Sequence, residues 1–191
     1  MSTKARSDAR CRILRAAEAI VRSLGARHLT LDSAAQGAGV SKGGVLYHFP
    51  GKQALLEGMI ARGVADLVGR IERYRAELAG APNPTLRAML RAGREILSSE
   101  IDLRSGMIAA VAESPELLAP VRVMLADNWE NVRHEAADPA DAYLIWSAME
   151  GMLFFASFDV SPLAPDERLA CYDRICARAE ALPGRSPVHA E

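Results

Sequence analysis

Apolar positions recur with a period near 3.6 along almost the whole chain, interrupted by short stretches rich in glycine and proline, which predicts helices joined by tight turns. Ile13, Ala17, Ile20 and Leu24 mark a first helix over Arg10–Leu24, with Arg12, Arg15 and Arg22 off that stripe and Gly25 suited to a left-handed C-terminal cap. Thr30 can cap a short second helix around Leu31–Ala38, Gly39 breaks it, and Ser41 can cap a third that runs to about His48. Beyond Pro50 and Gly51, the residues Leu55, Leu56, Met59, Ile60, Val64, Leu67, Val68, Ile71 and Leu78 define one long helix from about Lys52 to Ala79. At 1.5 Å per residue it spans roughly 40 Å.

The run from Gly80 to Pro84 stops that helix, and Asn83 with Pro84 starts a fifth that reaches about Ser99. Further starts fall at Ser105 for a short helix, near Ser114-Pro115, at Asp138-Pro139 and at Pro165-Asp166, nine helices in all. No alternating strand pattern, internal repeat or low-complexity tract interrupts them. The expected fold is therefore all-α: a three-helix unit over residues 1–52, a helical body over 53–183, and a disordered tail over 184–191. A composition rich in Ala, Leu, Arg and Glu and poor in aromatic and Thr residues agrees with helix over sheet, and 191 residues can bury a sizeable core.

Charge divides the chain. Residues 1–52 carry nine Lys or Arg against Asp8, Glu18 and Asp32, a net +6, and the remainder is at −7, although the whole chain is at −1. A basic head suits a polyanion, since each neutralised phosphate releases counterions. Cys11, Cys171 and Cys176 are odd in number and scattered, and the chain starts on polar residues, so a reducing cytoplasm with neutral thiols is expected. Positions 171 and 176 point different ways on a helix, which suggests neither a disulfide nor a metal site.

Two short helices joined by a glycine turn after a longer helix form a helix-turn-helix pattern. Such a unit needs a small residue at the crossing and a backbone that turns sharply, jobs for Ala35 and Gly39. Ala34, Ala38, Val40 and Val45 would fill the core beneath, leaving Ser41, Lys42, Gly43, Gly44, Tyr47 and His48 on or near the outer face of the third helix. The two glycines cost the helix about 1 kcal/mol each relative to alanine, but they let the backbone approach DNA closely.

The stretch from Val40 to Leu55, Val-Ser-Lys-Gly-Gly-Val-Leu-Tyr-His-Phe-Pro-Gly-Lys-Gln-Ala-Leu, resembles the head of the Tet repressor (TetR) family, which reads V-S-K-G-x-L-Y-x-x-F and then P-x-K-x-x-L. The resemblance covers about residues 9–60; beyond it only the helical layout is similar. It implies that Thr30 and Lys52 grip phosphates at two helix starts, helped by free backbone N–H groups, and that Lys42, Gly43, Gly44, Tyr47 and His48 face the major groove. Capping explains Thr30 as well as phosphate contact does. One departure stands out: Leu46 occupies the place where many members have tyrosine, and the tyrosine falls at 47. Either Tyr47 or His48 supplies the contact from a rotated position, or both pack.

In the body, Tyr143 to Phe158 is apolar on nearly every face, which requires cover on most sides. Its sixteen residues, with Glu150 near the middle, fall short of the roughly 20 that cross a bilayer, so no membrane is expected. The last helix, with Leu169, Tyr172, Ile175, Ala179 and Leu182, can pair with it, making a four-helix interface across a two-fold axis. The resemblance implies this homodimer, a double-stranded DNA operator as partner, and a small-molecule inducer whose pocket in the middle helices shifts the spacing of the heads. Candidate pocket walls are Arg94, Met107, Asn128, Trp129, Trp146, Glu150 and Phe154, each of which ordinary packing or an ion pair explains at least as well.

Other classes weigh less. His28, His48, His134 and His189 are dispersed, and no phosphate loop, nucleophile elbow or zinc signature is present, so neither catalytic residues nor a cofactor are expected. The reading is a ligand-responsive regulator, a repressor released by its inducer. Its rivals share the head: a constitutive or architectural DNA-binding dimer, and a dimer whose body recruits another protein.

Overall fold

The computed structural model describes residues 3–98 and 115–185, and among these it is helical throughout apart from short turns and one isolated backbone bridge. Eight α-helices are described: α1 (Thr3–Leu24), α2 (Leu31–Ala38), α3 (Lys42–His48), α4 (Lys52–Glu77), α5 (Pro84–Ser98), α6 (Ala119–Glu135), α7 (Pro139–Ser157) and α8 (Pro165–Ala181). The short helix expected from Ser105 lies outside the described residues. Helix α1 begins seven residues ahead of Arg10, and a 3-10 turn at Ala26–His28 follows Gly25. A second, Pro115–Leu118, leads into α6.

The described residues form two compact units, residues 3–64 with 115–122 and residues 65–98 with 123–185, so the division falls within α4 rather than at its start. In the first, α1 packs on α2 and α3 over Ile13, Leu14, Ala17, Val21, Leu29, Ala34, Val45 and Phe49. The first two turns of α4 seal the same core with Leu55, Leu56, Met59 and Ile60. Gly58 is the point of closest approach there, since a Cβ would stand 2.8 Å from Phe49 Cε1 and 3.1 Å from Leu14 Cδ2. Arg10 lies over the Phe49 ring, 5.1 Å from its centroid.

The second unit is built on α5, α7 and α8, which pack mutually. Leu86, Met89, Leu90, Trp146, Met149, Leu153, Tyr172 and Ala179 are its centre. Tyr172 is fully buried and its hydroxyl donates to the Leu90 carbonyl at 2.9 Å. Of the apolar residues that sequence periodicity offers on the last helix, Tyr172, Ala179 and Leu182 are buried in this core, Ile175 packs against it, and Leu169 is half-buried.

Long-range polar contacts close the chain ends. The α5 N-terminus is capped by Glu135 of α6, which accepts from Thr85 N–H at 2.8 Å and from Thr85 Oγ1 at 2.6 Å. Buried Asn83 adopts φ 52° and donates from Nδ2 to the Leu182 carbonyl at 2.7 Å. The chain after α8 then runs back along the end of α6: Ala137 N–H donates to Pro183 O, and Arg185 N–H to Glu135 O at 2.7 Å. Gly184 and Arg185, expected in a disordered tail, are therefore held by backbone pairing, which side-chain patterns do not reveal. Residues 186–191 lie outside the described residues.

On the second half of α4, Glu95 of α5 gathers Arg70 at 3.1 Å, Arg73 at 3.6 Å and the Tyr74 hydroxyl, which donates to it and whose pKa that bond raises.

Candidate nucleic-acid interface

The helix-turn-helix is fixed by three local devices. Thr30 is extended at the start of α2; its hydroxyl accepts from Ser33 N–H at 3.0 Å, while the Ser33 hydroxyl accepts from Thr30 N–H at 2.9 Å, a reciprocal capping box. Gly39 closes α2 at φ 64°, a left-handed conformation that glycine adopts without Cβ strain, and Val40 N–H returns to the Ala35 carbonyl at 3.0 Å. Ser41 then caps α3 by accepting from Gly44 N–H at 3.1 Å. Ala35 is buried, and α2 also comes close to α1 at Gly37, where a Cβ would stand 3.1 Å from Ala16 Cβ.

Helix α3 is anchored on one side by Val45 and Phe49, both buried, with Phe49 N–H donating to the Val45 carbonyl at 2.8 Å. Its opposite side is open: Ser41, Lys42, Gly43 and Tyr47 are exposed, Gly44 and His48 half-buried. A Cβ on Gly43 would meet nothing nearer than Ser41 Oγ at 3.9 Å, so that face presents bare backbone. Tyr47 is 65% exposed and its ring meets His48 edge-on at 5.1 Å. Lys42 is paired across the turn with Asp32 on α2, at 2.9 Å. Both side chains are mostly exposed, so the pair is worth at most about 1 kcal/mol and a phosphate can replace the carboxylate. Lys52 is half-buried in the first turn of α4.

The structure adds a residue to this face. Leu46 is 43% exposed, although residue type alone sends a leucine inward. The available signal is its spacing, four residues after Lys42 and three after Gly43, which puts all three on one side of the helix.

The candidate pocket residues do not all converge. Trp129 on α6 meets Trp146 on α7 at 6.1 Å, and Tyr143 packs edge-on against Trp129 at 5.2 Å. Trp146 Nε1 donates to Glu150 at 3.4 Å, and Asn128 on α6 is buried. Arg94 sits apart, exposed on α5 and bound by two hydrogen bonds to Asp173 of α8 at 2.5 and 3.1 Å, which hold that carboxyl below its ordinary value. Phe154 is half-exposed and its ring meets that of Phe158 at a tilt, centroids 4.5 Å apart. Met107 lies outside the described residues. A surface cleft of about 420 Å³ at Gly80–Pro84, Glu135, Gly184 and Arg185 includes none of these residues. The three cysteines are free thiols, and burial pushes Cys176 up in pKa. Among the described residues no helix is long and apolar enough to cross a membrane.

Comparison with known proteins bears on both units. The model for bacterial regulatory proteins of the tetR family matches residues 13–59, and the model for the tetracyclin repressor-like C-terminal domain matches residues 83–180. No curated protein matches the chain. Among solved structures, a TetR-family member from Streptomyces coelicolor A3 superposes with a TM-score of 0.66 at 20% identity, covering 87% of this chain and 97% of its own. The TetR-family regulator PfmR from Thermus thermophilus gives 0.63 at 23% identity, covering 86% and 94%. The SmeT–triclosan complex gives 0.65 at 21% identity, covering 95% and 94%. These likenesses are to the fold. The two family models, one on the head and one spanning half the chain, go further: the protein belongs to the TetR family of bacterial DNA-binding transcriptional regulators.

Proposed function

We propose that the protein is a homodimeric repressor whose two heads each place α3 in the major groove of one half of a near-palindromic operator, and which a small-molecule inducer releases. The observation that carries this reading is the outer side of α3, where Lys42, Gly43 and Tyr47 stand clear of a core anchored by Val45 and Phe49 in a head of net charge +6. Thr30 and Ser41 stand at the starts of α2 and α3 and Lys52 in the first turn of α4, so hydroxyls and a cation face the phosphates while α3 carries base contacts.

Ligand response is supported by the aromatic cluster of Trp129, Tyr143 and Trp146 with Glu150, the mix of large apolar surface and few polar groups that small-molecule sites use. A protein of similar fold, SmeT, is known in complex with triclosan.

Selection of binding sites from random duplex DNA with the full chain tests the reading. A two-fold sequence with half-sites about one helical turn apart is expected. Salt-sensitive binding with no preferred sequence would replace the regulator with an architectural DNA-binding dimer. Lys52→Ala should weaken all sequences alike and reduce the slope of log affinity against log salt by about 0.9 for each phosphate that Lys52 neutralises. A slope equal to the parent's, measured by fluorescence anisotropy across a salt series, removes Lys52 from the phosphate-binding residues.

A further inference from the structure

We infer that Leu46 is a base-reading residue, which selects a thymine in each half-site through the 5-methyl group. This deepens the function proposed above and rests on its placement of α3 in the major groove.

Leu46 is the one large aliphatic side chain on the outer side of α3, 43% exposed beside the polar Lys42 and Tyr47. Side chains on a helix lean toward its N-terminus, so Leu46 covers the patch over residues 42 and 43. At that patch Gly43 has no side chain, and a Cβ there would have only Ser41 Oγ within 4 Å, at 3.9 Å. The leucine is therefore the atom group that projects where the backbone comes closest to whatever α3 faces. It has no donor or acceptor, so it offers nothing to a phosphate or to the polar edges of guanine, cytosine and adenine. The major groove contains one apolar group, the thymine methyl, and contact with it distinguishes thymine from cytosine by shape alone. Against the polar edges of the other bases the leucine gains no partner and displaces water that those edges would otherwise bind.

The anchoring of α3 makes the contact reproducible. Val45 and Phe49, on either side of Leu46 in sequence, are buried in the head, and Ser41 fixes the first turn, so the helix does not roll to hide the leucine. Lys42 and Tyr47 supply hydrogen bonds around it, and Leu46 adds discrimination at a position they do not read.

The test uses the full chain and the two-fold site selected by it. Each thymine in a half-site is replaced in turn by deoxyuracil, which deletes the methyl group and keeps the pairing. One position per half-site should lose roughly fourfold in affinity, the value of one buried methyl-sized group. Leu46→Ala, a substitution at an exposed position that preserves helix propensity, should bind thymine and uracil equally there and keep the parent's ratio at every other position. A specific site that is indifferent to every methyl, or whose methyl-sensitive position keeps its ratio in Leu46→Ala, overturns the assignment of Leu46 while leaving α3 as the reading helix. Failure to select any sequence would overturn both.

Discussion

Gly93→Ala is expected to destabilise the body by about 3 kcal/mol, although alanine is by itself the better helix former. Gly93 lies inside α5, where the exchange would ordinarily gain roughly 1 kcal/mol. Here a Cβ would overlap the Tyr172 hydroxyl and stand 3.2 Å from Leu153 Cδ1 and 3.4 Å from Met149 Sδ. Tyr172 is fully buried, with its hydroxyl committed to the Leu90 carbonyl. The ring has to shift, which costs about 1–3 kcal/mol in overpacking, and the displaced hydroxyl loses its acceptor in the core for about 1–3 kcal/mol more. Tyr172→Phe removes the atom that clashes. Alone it should cost about 1 kcal/mol; combined with Gly93→Ala it should recover most of the loss. Urea unfolding of the four proteins measures the cycle. Additive effects, or a Gly93→Ala protein as stable as its parent, would mean that Gly93 does not owe its place to Tyr172.

That glycine shows where sequence reading stops. The head is legible because its determinants are local: Thr30 and Ser33 are three residues apart, Gly39 needs only its own φ, and Ser41 reaches Gly44. Asp138 capping Ala140 N–H at 2.8 Å, with Pro139 at the start of α7, is equally local. In the body the decisive contacts join residues far apart in the chain. Glu135 caps Thr85, Asn83 holds the Leu182 carbonyl, Arg94 finds Asp173, and Tyr172 explains Gly93. No window of sequence contains both partners of such a pair. Pocket candidates chosen by residue type are accordingly scattered: Trp129, Trp146 and Glu150 come together, whereas Arg94 and Phe154 are at the surface. Leu46 eludes pattern reading for the opposite reason: residue type alone sends a leucine inward, whereas its neighbours Val45 and Phe49 already fill that role.

A charge pair on α7 should weaken operator binding from a distance, through the homodimer proposed above. One side of this helix, with Ala142, Trp146, Met149 and Leu153, is buried in the protomer. The other leaves Leu144 66%, Phe155 49% and Phe158 43% exposed, a stripe that returns to the same side every eleven residues from 144 to 155. Between them lie Ala148 and Gly151, and a Cβ on Gly151 would meet nothing within 4 Å, so a second helix can approach closely at the middle of the stripe. Tyr143, Phe154, Val160 and Leu163 widen the exposed apolar surface around it. Isolated exposed leucines are ordinary, but a continuous aromatic and aliphatic patch of this kind marks an interface. Tyr172, Ala179 and Leu182 are buried in the core, so among the described residues α7 offers a large exposed apolar surface for the two-fold contact. Leu144→Glu with Phe155→Glu places four carboxylates in that contact and should give a folded monomer at micromolar concentration by sedimentation velocity. Each head then binds alone, and affinity for the two-fold operator should fall about 10²–10⁴-fold, while affinity for an isolated half-site stays at the parent's value. A variant that sediments as a monomer yet binds the operator as tightly as the parent would separate DNA reading from dimerisation, and a variant that remains dimeric would move the interface away from α7.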